Sequence, residues 1–127
     1  MMKTVFVDTN FWVSCTRYKI DLLSELRRVL SIRYKVCVLD KTLQELEKIK
    51  TGKGASARHA AFSLRMMKPM CIVRTRSKKT VDDILVDKAG PDVVVATQDR
   101  ELKKRVKEKG SSVVVIRQKK YLVLIPS

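Results

Sequence analysis

Short, uninterrupted apolar runs recur along the chain, and most are followed by a segment in which apolar residues return every three or four positions. Uninterrupted runs rich in β-branched residues are typical of buried strands, and the longer period is typical of amphipathic helices. The predicted strands are residues 5–7, 36–39, 71–73, 93–97, 113–116 and 121–125. Because strands and helices alternate, we predict a three-layer α/β/α fold with a mostly parallel central sheet, in a single domain over residues 1–127.

The segments between the strands predict helices with recognisable ends. Residues 11–15 continue the apolar character of the first strand and predict a short helical turn at the sheet edge. Residues from about 20 to 32 predict an amphipathic helix, and Asp40 is a suitable N-cap for the helix that follows the second strand. An alanine-rich helix is predicted next, and it ends at Pro69, which cannot continue a helix.

The chain carries a large excess of positive charge. Its 28 Lys and Arg residues outnumber its 13 Asp and Glu residues, which gives a formal net charge of +15 at pH 7. An excess of this size indicates a polyanionic partner. The residues that we expect to contact it are Arg74, Arg76, Lys78 and Lys79, in the loop after the third strand, together with Arg100.

The cysteine pattern and the length of the apolar runs indicate the cellular environment of the protein. Cys15, Cys37 and Cys71 lie in or beside apolar segments without metal-site spacing, so we expect reduced thiols in the core. No apolar run approaches the ~18 to 20 residues of a membrane-spanning helix, and the first residues lack a basic segment followed by an apolar one. We therefore expect a soluble, cytoplasmic protein without a membrane partner.

Carboxylates follow two of the predicted buried strands. Asp8 comes directly after the first strand, and Asp99 follows the fourth. If these strands are parallel neighbours, both carboxylates lie at the edge of the sheet where ligands of open α/β sheets bind. We expect Asn10 to hydrogen-bond Asp8, and Thr97 to do the same for Asp99.

Two further acids lie near the starts of predicted helices. Glu45 lies one turn into the helix after the second strand, and a helix packed on the sheet can aim it toward Asp8. Thr80 fits the N-cap of a later helix, and Asp83 at its N3 position fits the reciprocal capping arrangement. Asp82, at N2, is then left to point outward, so we assign the site carboxylate to Asp82 and a supporting role to Asp83.

The candidate site is therefore a set of four carboxylates without His or Cys, namely Asp8, Glu45, Asp82 and Asp99. Like charges held close together cost stability unless a cation lies between them. Oxygen donors suit a hard cation, Mg²⁺ or Mn²⁺, which keeps part of its water shell and binds phosphate oxygens well. Such ions activate water and neutralise the charge that develops in phosphodiester cleavage. An acidic centre in a basic chain is the layout expected of a nuclease.

Four short motifs, taken in order, resemble those of the PIN-domain ribonucleases. They are Asp8-Thr9-Asn10, Leu43-Gln44-Glu45-Leu46, Asp82-Asp83 and Ala96-Thr97-Gln98-Asp99-Arg100-Glu101-Leu102. The resemblance covers essentially the whole chain. It implies a PIN-like fold and a metal-dependent endoribonuclease selective for single-stranded RNA, with the four acids as ligands. Within the family, the chain looks more like the nucleases of ribosomal-RNA processing and their archaeal relatives than like the short VapC-type toxins.

The residues leave alternatives to this function. A haloacid-dehalogenase-type phosphatase is disfavoured, because Asn10 stands where that class has a second Asp. A catalytically silent RNA-binding PIN domain also explains the charge, although all four acids are present. A toxin-type ribonuclease would have an antitoxin as its partner, whereas a processing enzyme would have a ribosome-assembly partner. PIN domains commonly pair, so a homodimer is a further alternative.

Overall fold

Each predicted strand is present, and helices fill most of the intervals between strands. The computed structural model describes residues 2–127. The strands are β1 (Lys3–Val7), β2 (Tyr34–Leu39), β3 (Cys71–Val73), β4 (Val93–Ala96), β5 (Ser112–Arg117) and β6 (Tyr121–Ile125). The helices are α1 (Thr9–Arg17), α2 (Leu22–Val29), α3 (Asp40–Lys50), α4 (Ala55–Met67), α5 (Val81–Lys88) and α6 (Arg100–Glu108).

The strands form one sheet in the order β3-β2-β1-β4-β5-β6. Strands β1 to β5 are parallel, and β6 is antiparallel to β5. The chain proceeds from β1 outward to β3 and then returns to β4 on the other side of β1. In open α/β sheets, such a reversal creates a crevice at the carboxyl ends of the strands. The mostly parallel sheet is therefore confirmed, and its topology places a crevice between β1 and β4.

The register of β1 and β4 brings the two predicted strand-end acids to the same edge. Val7 pairs with Ala96 in the sheet, so Asp8 and Thr97 leave it side by side. The backbone N–H of Asp8 still donates to the carbonyl of Ala96 at 2.9 Å. The first and fourth strands are therefore parallel neighbours, which is the condition under which Asp8 and Asp99 were expected to share one edge.

Side chains alternate between two helical layers along each central strand. Val5 and Val7 of β1 face a core shared with α1, α2, α3 and α4. Phe6 of β1 and Val95 of β4 face the opposite core, to which α5 and α6 contribute Leu85 and other apolar residues. Because successive strand side chains point to opposite faces, a sheet buried on both sides must be continuously apolar. The three-layer α/β/α arrangement is confirmed.

Helix α1 differs from the short turn predicted over residues 11–15. It has nine residues, and its buried side chains pack in the core on the face of the sheet rather than at its edge. The carbonyl of Asp8 accepts hydrogen bonds from the N–H groups of Phe11 and Trp12 at 3.0 and 3.2 Å. The helix therefore starts immediately at the end of β1 and lies across the sheet. Trp12 is 2% exposed, as expected of a core residue.

The helix predicted over residues 20–32 is shorter, because Asp21 caps it. A carboxylate oxygen of Asp21 accepts from the N–H of Ser24 at 3.2 Å, so α2 begins at Leu22. At its other end, Leu30 adopts an extended backbone conformation. Ile20 is buried but lies before the cap.

The prediction that Asp40 caps α3 is wrong. Asp40 is the first residue of that helix, and Leu39 occupies the N-cap position. The Asp40 carboxylate instead accepts from the backbone N–H of Thr75 at 3.0 Å and from its hydroxyl at 2.8 Å. This contact ties the start of α3 to the basic loop after β3.

The cysteines follow the prediction only in part. All three are free thiols, and Cys15 and Cys37 are buried, but Cys71 is exposed. The reason is that β3, which carries Cys71, is an edge strand whose neighbouring residue Ile72 is 49% exposed. Within residues 2–127, no helix combines the length and apolar character that crossing a bilayer requires.

Candidate active site

A cavity of about 860 Å³ opens at the crevice between β1 and β4. Four acids from four different elements line it. Asp8 follows β1, Glu45 lies on α3, Asp82 on α5, and Asp99 precedes α6. The structure therefore brings together side chains that are dispersed over most of the sequence.

Asp8 is the most enclosed of the four acids, with 8% of its surface exposed. Its Oδ2 accepts a hydrogen bond from the hydroxyl of Thr97 at 3.1 Å. Burial and the negative charges of Asp82 and Glu45 raise the pKa of Asp8 from 3.8 to about 6, against the opposing hydrogen bonds from Thr97 and the backbone of Thr9. Ionisation of Asp8 at neutral pH therefore costs free energy, and a nearby cation would lower that cost.

Glu45 reaches the cavity from an exposed position on α3. Its Oε1 accepts a hydrogen bond of 2.6 Å from the hydroxyl of Thr9, which is itself buried at the start of α1. The same hydroxyl lies 3.3 Å from that of Thr42. Thr9 thus holds the Glu45 carboxylate against α1. The sequence predicts no role for Thr9 beyond its place in the Asp8-Thr9-Asn10 motif, and its position directly after Asp8 is the signal that points to one.

The side chains of Asp82 and Asp83 point in different directions. Asp82 lines the cavity, and burial together with the charges of Asp99 and Glu45 raises its pKa. The carboxylate of Asp83 instead accepts from Nη2 of Arg105 at 3.0 Å.

Thr80 is the N-cap of α5, as predicted, because its hydroxyl accepts from the N–H of Asp83 at 3.2 Å. The reciprocal bond expected from the Asp83 side chain is absent from the described residues, since that carboxylate is directed toward Arg105 on α6. The reason given for separating Asp82 from Asp83 was therefore wrong, although Asp82 is the one that faces the cavity.

Asp99 caps α6, with its Oδ1 accepting from the N–H of Leu102 at 2.9 Å. Its Oδ2 accepts no hydrogen bond from residues 2–127. Thr97 was expected to hold the Asp99 carboxylate. It accepts instead from the backbone N–H of Asp99 at 3.1 Å and donates to Asp8. One buried hydroxyl therefore joins the segments that carry Asp8 and Asp99.

Asn10 lines the cavity but does not have the role predicted for it. Its side chain is exposed, and it makes no hydrogen bond to Asp8 or to any other part of the chain that the structure describes. Asn10 is the second residue of α1, and the hydroxyl of Thr97, directly after β4, makes the hydrogen bond to Asp8 that was predicted for Asn10.

The basic residues predicted to contact RNA surround this edge of the sheet. Arg74, Arg76 and Lys78 are exposed in the loop that connects β3 to α5, and Arg100 is exposed at the first position of α6. Lys79 differs, because its Nζ lies 2.6 Å from a carboxylate oxygen of Asp87. Among the described residues that line the cavity, Lys48 has the only cationic side chain.

The donor set fits a divalent cation in its chemistry and charge. The four acids offer only oxygen atoms, and burial together with the charges of other acids raises the pKa of both Asp8 and Asp82. Within residues 2–127, no group of three or more Asp, Glu, His or Cys side chains already surrounds a point that could hold an ion. Binding a hard cation therefore requires the carboxylates to draw together, which the cation itself would favour.

Comparisons with known proteins agree with the fold. The sequence profile of the family described as "PIN like domain" matches residues 5–119. The chain is 31% identical over 124 residues to Ribonuclease VapC4 of Methanocaldococcus jannaschii, a match that covers 94% of this chain and 95% of the relative. Among solved structures, it is similar to the PIN domain endonuclease Utp24, with a TM-score of 0.76, 28% identity, and coverage of 95% of this chain and 90% of the other.

Proposed function

Because the chain belongs to the PIN-like domain family, we propose that it is an endoribonuclease that hydrolyses phosphodiester bonds of single-stranded RNA with the help of Mg²⁺ or Mn²⁺. The observation that supports this best is the convergence of Asp8, Glu45, Asp82 and Asp99 on one cavity in a chain of net charge +15. An acidic cluster alone would repel RNA. The basic surroundings and a bound cation reverse the sign of the field that the substrate meets.

The four carboxylates would hold the cation. When bound, it would activate water and neutralise charge on the phosphate. The chain's own polar residues keep the carboxylates in place. Thr97 fixes one oxygen of Asp8, and Thr9 fixes one oxygen of Glu45, so that each rotamer is set before substrate arrives.

The exposed cations would bring RNA to this centre. Arg74, Arg76 and Lys78 lie on the loop that leads into α5, whose first turn carries Asp82. Arg100 lies directly after Asp99. Charges placed in this way attract backbone phosphates without reading the base sequence.

Two biological roles fit such an enzyme, and we favour processing of a ribosomal-RNA precursor in the cytoplasm. The sequence motifs support this role, because they resemble those of the nucleases of ribosomal-RNA processing more than those of the VapC-type toxins. The match to Ribonuclease VapC4 supports the alternative, a toxin-type ribonuclease held inactive by an antitoxin. Depletion in the native host separates the two: precursor RNA accumulates if the enzyme processes it, whereas a toxin can be removed without that defect.

A cleavage assay tests the biochemical proposal. Purified protein is incubated with an unstructured, end-labelled RNA in Mg²⁺, Mn²⁺ or a chelator, beside Glu45→Gln. The expected result is internal cleavage that needs the metal and is lost in the variant. Glu47→Gln is the matched control, because Glu47 lies on the same helix, is exposed, and does not line the cavity. Cleavage in the chelator, or equal loss in both variants, would contradict the proposal.

A further inference from the structure

Helix α6 carries a continuous stripe of cations along its outer surface. The stripe consists of Arg100, Lys103, Lys104 and Lys107, which occupy positions i, i+3, i+4 and i+7 and therefore share one side of the helix. Leu102 and Val106 lie on a different face of the helix, and both are fully buried against the sheet. The four cations extend over about 10 Å, at about 1.5 Å per residue.

Other cations of the same segment are already used inside the protein. Arg105 binds the carboxylate of Asp83, and Nζ of Lys109 donates to the carbonyls of Val86 and Asp87 at 2.6 and 3.3 Å. These contacts hold α6 against α5. In the part of the chain that the structure describes, by contrast, no stripe side chain makes a hydrogen bond or an ion pair.

The acidic residues of α6 form no ion pair with the stripe in the part of the chain that the structure describes. Glu101 and Glu108 lie on the flank next to Arg105, three and four residues from Lys104. Arg100, Lys104 and Lys107 are exposed and Lys103 is half-buried, so the charge of the stripe remains available to a ligand outside the protein.

The stripe is continuous with the cavity. Asp99, which lines the cavity, is the N-cap of α6, and Arg100 is the first residue of the helix. Because α6 starts at the carboxyl edge of the sheet and leads to β5, which starts at the other edge, the stripe runs from the acidic centre down the side of the domain. A polyanion held on it would enter or leave the cavity at Asp99.

We propose that the α6 stripe is a docking track for the sugar–phosphate backbone of the RNA strand on one side of the cleaved bond. The proposal rests on the proposed endoribonuclease function and adds to it a path for the substrate beyond the cavity. A row of point charges fits a single strand, because flexible lysines can follow phosphates whose spacing is not fixed by a duplex. The track contributes affinity that grows with RNA length and is independent of base sequence.

The test compares two triple variants in the Asp8→Asn background, which is expected to bind RNA without cleaving it. In the stripe variant, Lys103, Lys104 and Lys107 are changed to Gln, and Arg100 is kept because it adjoins Asp99. In the control variant, Lys3, Arg33 and Lys35 are changed to Gln. These cations lie at the amino ends of β1 and β2, at the edge of the sheet opposite the cavity. Because three cations are replaced in each variant, both variants lose the same charge.

Binding is measured by fluorescence anisotropy with unstructured RNAs of about 4 and about 16 nucleotides, over a range of salt concentrations. We expect the stripe variant to bind the longer RNA about tenfold more weakly at 0.1 M salt, with a log–log salt slope reduced by about 1 to 2. The short RNA, which the loop cations and Arg100 can hold, loses much less affinity. The control variant should keep the slope of the parent.

Equal slopes in the two triple variants would overturn the proposal, as would an equal loss for the short and the long RNA. Circular dichroism of the stripe variant checks that α6 still folds, and an unfolded variant is replaced by single Lys→Gln changes measured in the same way. RNA cleavage by the wild-type chain is measured separately, so that failure of the proposed function can be distinguished from failure of the docking track. If the wild-type chain cleaves no RNA in any metal while the stripe results hold, the track is retained and the nuclease is not.

Discussion

The hydroxyl of Thr9 lies 2.6 Å from Oε1 of Glu45, across 36 residues of sequence. The contact joins the first turn of α1 to the second turn of α3, and it is formed by a buried side chain. A hydrogen bond to a charged group contributes about 1.5 to 3 kcal/mol. Its purpose in the proposed enzyme is to fix the Glu45 carboxylate before the substrate binds.

Replacing Thr9 by Val tests that role. Val has nearly the shape of Thr but cannot donate, so we expect kcat for RNA cleavage to fall by about tenfold or more, with RNA affinity retained. Thr9→Ser keeps the hydroxyl and should restore most of kcat. Steady-state kinetics on all three proteins make the comparison. If Val and Ser lowered kcat equally, the effect would come from packing and not from the hydrogen bond.

Asp8→Asn should remove activity and at the same time stabilise the metal-free protein at neutral pH. The folded pKa of about 6 exceeds the ordinary 3.8, so the native state keeps a proton that the unfolded state releases. Stability is therefore full below pH 3.8 and falls as the pH rises to about 6. Above that pH range, the raised pKa of Asp8 lowers the free energy of unfolding by about 3 kcal/mol, at about 1.4 kcal/mol per pH unit.

Urea unfolding in a chelator measures this effect. The variant should be more stable than wild type at pH 7.5 by up to about 3 kcal/mol, and the gain should vanish near pH 3.5. A gain of the same size at both pH values would show that ionisation of Asp8 is not its cause.

The adjacent acids Asp82 and Asp83 should respond differently to the same substitution. Asp82→Asn removes a carboxylate that lines the cavity and should abolish cleavage. Asp83→Asn removes the partner of Arg105 on a partly exposed surface, so it should cost about 1 kcal/mol or less in stability and leave most of the activity. Cleavage rates and thermal midpoints of the two variants decide the assignment. Loss of activity in both would mean that the direction of the side chains is not the distinguishing feature.

The basic loop after β3 should contribute unequally, residue by residue. Reversing the charge of Arg74, Arg76 and Lys78 to Glu should weaken RNA binding by more than tenfold and flatten its salt dependence. Lys79→Glu alone should have a smaller effect on binding, because Lys79 already pairs with Asp87. Its main effect should be the loss of the ion pair between Lys79 and Asp87, which is exposed and contributes little to stability. A salt slope unchanged in the triple variant would exclude the loop from the interface.

The apolar pattern was sufficient to predict the strands and a mostly parallel sheet, whereas the order of the strands around β1 came only from the structure. The predicted features follow from the spacing of apolar residues, which can be seen within short segments of the sequence. Partners that are distant in sequence were not predictable in the same way. Thr97 lies two residues from Asp99, which made that acid the natural guess, but its hydroxyl donates to Asp8, 89 residues away.

The same reason explains the other errors. Asp40 and Asp83 were both given local capping roles, yet Asp40 accepts from Thr75 and Asp83 pairs with Arg105. Each partner lies on another element, and its proximity depends on how helices pack against the sheet. Local rules describe what a polar side chain can do within one turn of chain, and the tertiary structure decides whether a stronger partner is within reach.

We propose that the four acids hold a divalent cation in the cavity between β1 and β4. Crystals of the protein soaked in Mn²⁺, measured near the manganese absorption edge, test it most directly. We expect an anomalous peak in that cavity with oxygen ligands from Asp8 and at least two of Glu45, Asp82 and Asp99. No peak in the cavity at Mn²⁺ concentrations that saturate RNA cleavage, or a peak held by other residues, would contradict it.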